Sequence, residues 1–182
     1  MVDRSTGWVA LLRGINVGGH NRVPMAELRS VFEEQGCGSV STYIQSGNVV
    51  FTKKASDRAR LARLLEQAVE EAFGVSPTVV LRTFEEIGGV IRSHPFGRDS
   101  SKTYVAFLAK EPRREDVRKL KRLDVAPDRI EVAGSDVFLH FPNGLQGARL
   151  TAAQLERHLR VPATVRNWRT VTRLAEMAET AS

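Results

Sequence analysis

The spacing of apolar positions predicts short strands that alternate with amphipathic helices. The run Val9–Leu12 has the length of a buried strand. After Pro24, which suits the first turn of a helix, four apolar residues recur at helical spacing, and Gly36 ends the run. These four residues are Met25, Leu28, Val31 and Phe32. The chain therefore begins with a strand, a polar loop and a helix.

Two segments rich in β-branched residues then predict a hairpin. Val40–Ile44 and Val49–Thr52 are joined by Ser46-Gly47-Asn48, which supplies turn chemistry. An amphipathic helix, opened by Ser56-Asp57 and closed at Gly74, precedes the strand Thr78–Leu81. The apolar positions of that helix are Leu61, Leu64, Leu65, Ala68, Val69 and Ala72. The order of elements is βαββαβ.

The same order returns in the second half, after a connecting helix that carries Ile87 and Val90. The elements are the strand Tyr104–Leu108, the helix Pro112–Leu123 with Val117, Leu120 and Leu123 facing inward, the hairpin Arg129–Val132 and Val137–Phe141, a helix capped by Thr151, the strand Ala163–Val165 and a final helix from Trp168 to Ala178. The repetition concerns the order of elements, without evident residue identities between the halves.

The βαββαβ order is that of the ferredoxin-like arrangement, in which two helices cover one face of an antiparallel sheet. The sequence thus predicts an α+β fold of two βαββαβ ferredoxin-like subdomains in one compact unit, with a C-terminal helix. We expect subdomain 1 at about 7–98 and subdomain 2 at about 99–182.

Three separated motifs resemble the DUF1697 family, a domain of unknown function. They are Leu11–Gly19 followed by Val23–Arg29, then Thr42–Phe51, and near the end Ala163–Trp168 with Thr170-Val171. The resemblance implies two intertwined ferredoxin-like subdomains, in agreement with the order of elements. It implies no established activity, substrate or catalytic residue.

Composition narrows the class of protein. Among the 182 residues, 42% are hydrophobic and 26% charged, as in ordinary globular proteins. Neither a secretory signal nor an apolar stretch of about 18 residues is present, so we expect a cytoplasmic protein. The single cysteine, Cys37, excludes an internal disulfide and favours a turn residue over a nucleophile. The net charge of +6 comes mostly from the C-terminal half, and arginine far outnumbers lysine.

The polar loop after the first strand is the first candidate binding site. Its glycines, Gly14, Gly18 and Gly19, permit close backbone approach to a ligand, and Arg13 and Arg22 bracket them. Backbone N–H groups ahead of a helix favour anions, and Arg13, Asn16, Asn21 and Arg22 are able to add side-chain donors. Gln45, a polar amide at the end of an apolar strand, is a further residue that could bind a ligand. The spacing matches neither a P-loop nor a dinucleotide fingerprint. The alternative is that the glycines only let the chain turn.

The segment Arg166–Arg169 is the second candidate. Asn167 can cap the last helix, and Arg166 and Arg169 place two guanidinium groups near its positive end. The alternative is that Trp168 packs in the core and both arginines pair with acidic residues.

The remaining polar residues give weaker signals. The four histidines lack metal-ligand spacing, so no metal site is expected, and His140 is predicted to be partly buried with its hydrogen bonds satisfied. The basic segment Arg113–Arg122 is predicted to be a solvated helix face, with phosphate contact to nucleic acid as the alternative.

The sequence supports three functional hypotheses. The favoured one is that the protein binds a small anionic or phosphorylated ligand between the Gly14–Gly19 loop and the Arg166–Arg169 segment, either as an enzyme or as a binder. The alternatives are a nucleic-acid-binding module and a protein-interaction domain without catalysis. The sequence identifies no reaction, cofactor or oligomeric state.

Overall fold

The computed structural model describes residues 6–54, 57–97 and 100–181. The chain divides into two compact units. Unit 1 is the chain up to Gly88 together with the residues from Leu174 onward, and unit 2 is Gly89–Arg173. Within the described ranges, no helix has both the length and the hydropathy needed to cross a bilayer. Ser56, which was predicted to open a helix, lies outside these ranges.

Unit 1 contains a four-stranded antiparallel sheet in the order β2-β3-β1-β4. Its elements are β1 (Thr6–Arg13), α1 (Met25–Glu34), β2 (Gly38–Tyr43), β3 (Asn48–Lys53), α2 (Arg58–Phe73) and β4 (Thr78–Thr83), followed by the start of α3 (Phe84–Arg92). This is the predicted βαββαβ arrangement, with the first and third strands at the centre of the sheet.

The core of unit 1 lies between its sheet and its two helices. Alternate residues of β1, among them Trp8 and Leu12, pack in this core with Phe32 of α1 and Leu65 of α2. Phe32 also meets Phe51 of β3 edge to face, with ring centroids 5.3 Å apart. Both ends of α2 match their predicted signals: Asp57 accepts a hydrogen bond from the backbone N–H of Arg60, and Gly74 ends the helix at φ 66°.

Unit 2 repeats the arrangement with the strand order β6-β7-β5-β8. Its elements are β5 (Thr103–Leu108), α4 (Arg114–Leu120), β6 (Arg129–Ala133), β7 (Asp136–His140), a 3₁₀ turn (Leu145–Gly147), α5 (Ala152–Leu159) and β8 (Ala163–Asn167), and α6 (Trp168–Thr180) follows. Thr151 caps α5 through a capping box with Gln154, as predicted. The α+β fold with two βαββαβ units and a C-terminal helix is thereby confirmed.

The strand registers reveal a correspondence between the units that the sequence reading missed. Val9 of β1 pairs with Arg82 of β4, and Val105 of β5 pairs with Arg166 of β8. Both arginines are buried. The residue after each arginine caps the next helix: Thr83 Oγ1 accepts from the N–H of Glu86, and Asn167 Oδ1 accepts from the N–H of Thr170. The repetition therefore extends to individual residues.

Several details of the predicted elements are wrong. Ile44 was assigned to a strand but lies in the turn after β2 at φ 48°, half exposed. Helix α4 ends at Leu120, so Leu123 is exposed. Leu120 is buried as predicted, and the other buried residue of this helix is Asp116, held by Arg113 at 2.9 Å. On α2, Leu64 and Ala72 are exposed because the buried stripe is narrower than the set of apolar residues.

Candidate functional site

The loop between β1 and α1 contains a tight turn that two glycines make possible. The backbone N–H of His20 donates to the carbonyl oxygen of Val17 at 2.9 Å. The two central residues, Gly18 and Gly19, have φ values of 55° and 81°. A turn with positive φ at both central positions strongly favours glycine. The alternative reading of the glycines as turn residues thus accounts for these two positions.

Asn16 connects this loop by hydrogen bonds to the residues before α1 and to the β2–β3 turn. Its Nδ2 donates to the carbonyl oxygens of Val23 at 2.9 Å and Gln45 at 2.8 Å, and its Oδ1 accepts from the N–H of Val23 at 2.8 Å. Asn16 has a φ of 52°, a conformation that asparagine tolerates better than most residues. Its amide therefore holds the start of α1 against the β2–β3 turn.

A second asparagine closes the loop on itself. Asn21 Nδ2 donates to the carbonyl oxygen of Gly14 at 2.7 Å, and the Asn21 carbonyl accepts from the N–H of Asn16 at 2.9 Å. The side-chain amides of both asparagines are thus engaged in hydrogen bonds that hold the loop together.

An open cleft of about 590 Å³ lies where α1 begins. Its polar lining consists of Asn16, Gly19, Arg22 and Gln45, and residues 23–26 line it as well. The volume is in the range of small-molecule sites. The fold therefore brings four of the residues predicted as ligand-binding to one concave surface.

The groups at this cleft carry unused hydrogen-bonding capacity and positive charge. Pro24, the residue before α1, has no N–H, and no side chain of a described residue caps the first turn of the helix. Arg22 is exposed and forms no ion pair within the described part of the chain, and the side-chain amide of Gln45 has no partner there either. Glu27, the acidic residue of the first turn, is not among the lining residues. The cleft is therefore suited to a ligand with negative charge.

The other predicted residues of this loop lie outside the cleft lining. Arg13 is exposed at the end of β1, where its backbone is paired with Thr78 of β4. Gly14 and Asn21 belong to the hydrogen bonds that close the loop, and Gly18 forms its turn. Conversely, the sequence reading named none of residues 23–26 as site residues, although Pro24 at the helix start was a usable signal.

The second predicted segment lies in unit 2, on β8 and the start of α6. Arg166 is 8% exposed, and its Nη1 donates to Thr164 Oγ1 at 2.6 Å and to the Val165 carbonyl at 3.1 Å. Burial lowers the pKa of Arg166 to about 10, so it stays charged at neutral pH. Asn167 caps α6 as predicted. Arg169 is exposed and makes no ion pair with any described residue. Ligand binding by this segment stays a prediction.

A cluster of aromatic rings in unit 2 was not anticipated. His94 lies against Trp168, with ring centroids 4.3 Å apart, and both His94 and His140 contact Phe96. The prediction of a satisfied His140 is wrong, since its Nδ1 is buried without a hydrogen-bond partner among the described residues, as is Nε2 of His94. Trp168 is partly exposed and belongs to this cluster. No spacing in the sequence brings residues 94, 140 and 168 together.

This cluster predicts a pH-dependent stability. Burial is the largest influence on His94 and lowers its pKa below the ordinary value of 6.5; the neighbouring His140 also lowers it, and a hydrogen bond with the Gly97 backbone acts in the opposite direction. The folded protein thus binds this proton less readily than the unfolded chain does. We expect the resulting stability to be present above pH 6.5 and to be lost as the pH falls through the lowered pKa.

Urea denaturation at neutral pH and at about pH 5 measures this effect. His94→Gln removes the titrating group, so the stability of this variant should fall less than that of the wild type over the same interval. His20→Gln, which changes an exposed imidazole of the glycine turn, is the control and should follow the wild type. Parallel pH profiles for the wild type and His94→Gln would contradict the prediction.

Cys37 does not offer a reactive thiol. The side chain is buried after the end of α1, and burial raises its pKa to about 11, although Lys53 lowers it slightly. The thiolate, which is the nucleophilic form, is therefore scarce at neutral pH. Cys37 acts as a small buried apolar residue.

The fold and the site together define a class of protein with two ferredoxin-like units and a polar cleft at the first helix of unit 1. The chain belongs to a family described as "Protein of unknown function (DUF1697)", whose sequence profile matches residues 6–138. The resemblance drawn from the motifs is thus confirmed. The first two motifs lie inside the matched region, and the third lies beyond it.

A solved structure supports the fold over nearly the whole chain. A conserved bacterial protein from Streptococcus pneumoniae superposes with a TM-score of 0.75 at 25% sequence identity, over 97% of this chain and 99% of that chain. No curated protein matches the chain.

Proposed function

We propose that the protein is a cytoplasmic binder of a small anionic or phosphorylated ligand, and that this ligand occupies the cleft at the start of α1. The observation that carries the proposal is the placement of Arg22, Gln45 and the uncapped first turn of α1 around one concave surface. Helix N-termini favour anions because their first N–H groups and the helix dipole both point toward the ligand.

The polar groups of the cleft differ in the role they can take. Asn16 already donates both amide hydrogens to backbone carbonyls, so it positions the walls and leaves recognition to others. The guanidinium of Arg22 can form charge-assisted hydrogen bonds with a carboxylate or phosphate. The Gln45 amide can both donate and accept, which suits a neutral polar group on the same ligand.

The shape of the cleft indicates a ligand larger than an inorganic ion. A volume of about 590 Å³ exceeds what one phosphate fills, and the exposed residues Pro24 and Ala26 of the segment 23–26 add apolar surface. The cleft thus has a charged part at Arg22 and an apolar part at residues 23–26. A molecule with one anionic group and a less polar body matches these two parts.

Thermal unfolding in the presence of candidate ligands tests the proposal. Suitable probes are inorganic phosphate, sugar phosphates, nucleotides, small carboxylates and short oligonucleotides. A ligand at 100 times its Kd stabilises the protein by about 2.7 kcal/mol, which a melting curve detects easily. A stabilising small anion supports the proposal.

Arg22→Ala is expected to weaken binding of that anion by about 10- to 100-fold, since a hydrogen bond to a charged group is worth about 1.5–3 kcal/mol. Isothermal titration calorimetry measures the change. Arg29→Ala removes an exposed arginine of α1 that does not line the cleft, and it should leave the affinity unchanged. Equal losses in both variants would show a general effect of charge and contradict a site at Arg22.

The contribution of the Arg166–Arg169 segment needs its own variant. Arg169→Ala is suitable because Arg169 is exposed, whereas removing the buried Arg166 would disturb the fold. A loss of affinity would show that Arg169 contributes to binding, and unchanged affinity would leave the cleft residues of unit 1 as the site. Stabilisation by oligonucleotides alone, weakening with salt, would favour the nucleic-acid-binding alternative. No stabilisation by any probe would favour the protein-interaction alternative.

A further inference from the structure

Unit 2 contains a second, smaller cavity of a different character. It has a volume of about 90 Å³ and lies between the strands β7 and β8, the 3₁₀ turn and the start of α5. Four of its lining residues, Leu139, Phe141, Leu150 and Leu155, are at most 5% exposed. The cavity is thus set into the apolar core of this unit.

The lining offers a ligand no hydrogen bond from its one polar side chain. Thr151 lines the cavity, but its hydroxyl accepts from the N–H of Gln154 at 3.3 Å and contacts Gln154 Oε1 at 3.1 Å. Both functions of this hydroxyl are therefore used in the cap of α5. A cavity without free polar partners is unfavourable for water, and apolar cavities of this kind stay dry and bind apolar molecules.

One wall of the cavity faces solvent. Leu145 lines the cavity and is also 56% exposed, which is unusual for a leucine that packs against a core. It sits on the 3₁₀ turn directly after Gly144, which has a φ of 76° and is held by a hydrogen bond from its N–H to the Phe141 carbonyl. Leu145 therefore lies between the cavity and the solvent.

We propose that this cavity is a binding site for a short alkyl group. Counting about 30 Å³ for each carbon, as for a water molecule in the liquid, the volume accepts a group of about three carbons. Such a group could belong to a larger molecule whose polar part remains outside, beyond Leu145. The cavity shares no lining residue with the cleft in unit 1.

Propane and acetone are a matched pair of probes, since they share a three-carbon skeleton and only acetone requires a hydrogen bond. In the 182-residue chain, dissolved propane is expected to shift the methyl NMR signals of Leu139, Leu155 and Val165, with saturation. Acetone at the same concentration should leave them unchanged. No shift with propane, or equal shifts with both probes, would overturn the proposal.

A pair of alanines at the start of α5 locates the site. Ala152 lines the cavity and Ala153 does not, although both are exposed and lie in the first turn. Ala152→Leu should fill the space and abolish the propane shifts, while Ala153→Leu should keep them. Circular dichroism checks that both variants fold. If propane bound a folded Ala152→Leu variant as strongly as it binds the wild type, the probe would lie elsewhere and the proposed site would be refuted.

Discussion

Replacing Gly47 by alanine is expected to lower the free energy of unfolding by about 2–5 kcal/mol. Gly47 has a φ of 77°, and an added Cβ would lie 2.9 Å from Leu12 Cβ and 2.7 Å from Ile15 Cδ1. The backbone cannot easily move away, because the N–H of Leu12 donates to the Gly47 carbonyl at 2.8 Å. Urea denaturation followed by tryptophan fluorescence, with Trp8 buried in the same unit, measures the loss.

Gly19→Ala separates the two causes of this effect. Gly19 has a similar φ of 81°, but an added Cβ there meets no atom within 4 Å. Only the backbone strain applies, so the expected loss is about 1–2 kcal/mol. If both variants lost the same free energy of unfolding, the contacts of the added Cβ at position 47 with Leu12 and Ile15 would not contribute to the loss.

Asn16→Ala is expected to cost about 2–4 kcal/mol, because it removes three hydrogen bonds worth about 0.5–1.5 kcal/mol each. The lost partners are the N–H and carbonyl of Val23 and the carbonyl of Gln45. Since Val23 and Gln45 stand on different walls of the cleft, the variant should also bind the ligand more weakly than the wild type. Denaturation and calorimetry on the same preparation measure both effects.

Asn21→Ala is the matched control for this variant. Asn21 has the same φ of 52° and lies in the same loop, but its side chain makes one hydrogen bond, to the Gly14 carbonyl. It does not line the cleft. We expect a loss of about 1 kcal/mol and little change in affinity. Equal effects of the two substitutions would show that the three bonds of Asn16 do not hold the cleft together.

The candidate cleft was predictable in part because its residues lie close together in the sequence. Gly19 and Arg22 stand in a polar segment between an apolar strand and a proline, and this pattern alone indicates a loop before a helix. Gln45 was singled out as a polar amide at the end of a strand. That it faces the same cleft depends on the Asn16 bond across 29 residues, which no local pattern contains.

Other predictions depended on which side chains are buried, and neighbouring residues in the sequence do not determine this. Arg166 and Arg169 are equivalent in the sequence, yet one is buried on a strand and the other is exposed on a helix. Leu123 continues the apolar spacing of its helix, but the helix ends at Leu120 and leaves it exposed. Periodicity shows which residues could share a face, whereas packing decides which of them are covered.

The sequence by itself determined the order of strands and helices, the turn glycines and the helix caps, because these features depend on backbone preferences over a few neighbouring residues. The tertiary structure decided which polar side chains form hydrogen bonds within the loop, as Asn16 and Asn21 do. It also decided which side chains line the cleft and remain available to a ligand, as Arg22 does. The strand registers also show that Arg82 and Arg166 occupy equivalent positions in the two sheets, which the sequence did not reveal. Hydrogen-bond partners and burial are set by contacts between segments distant in the chain, and local sequence does not encode these contacts.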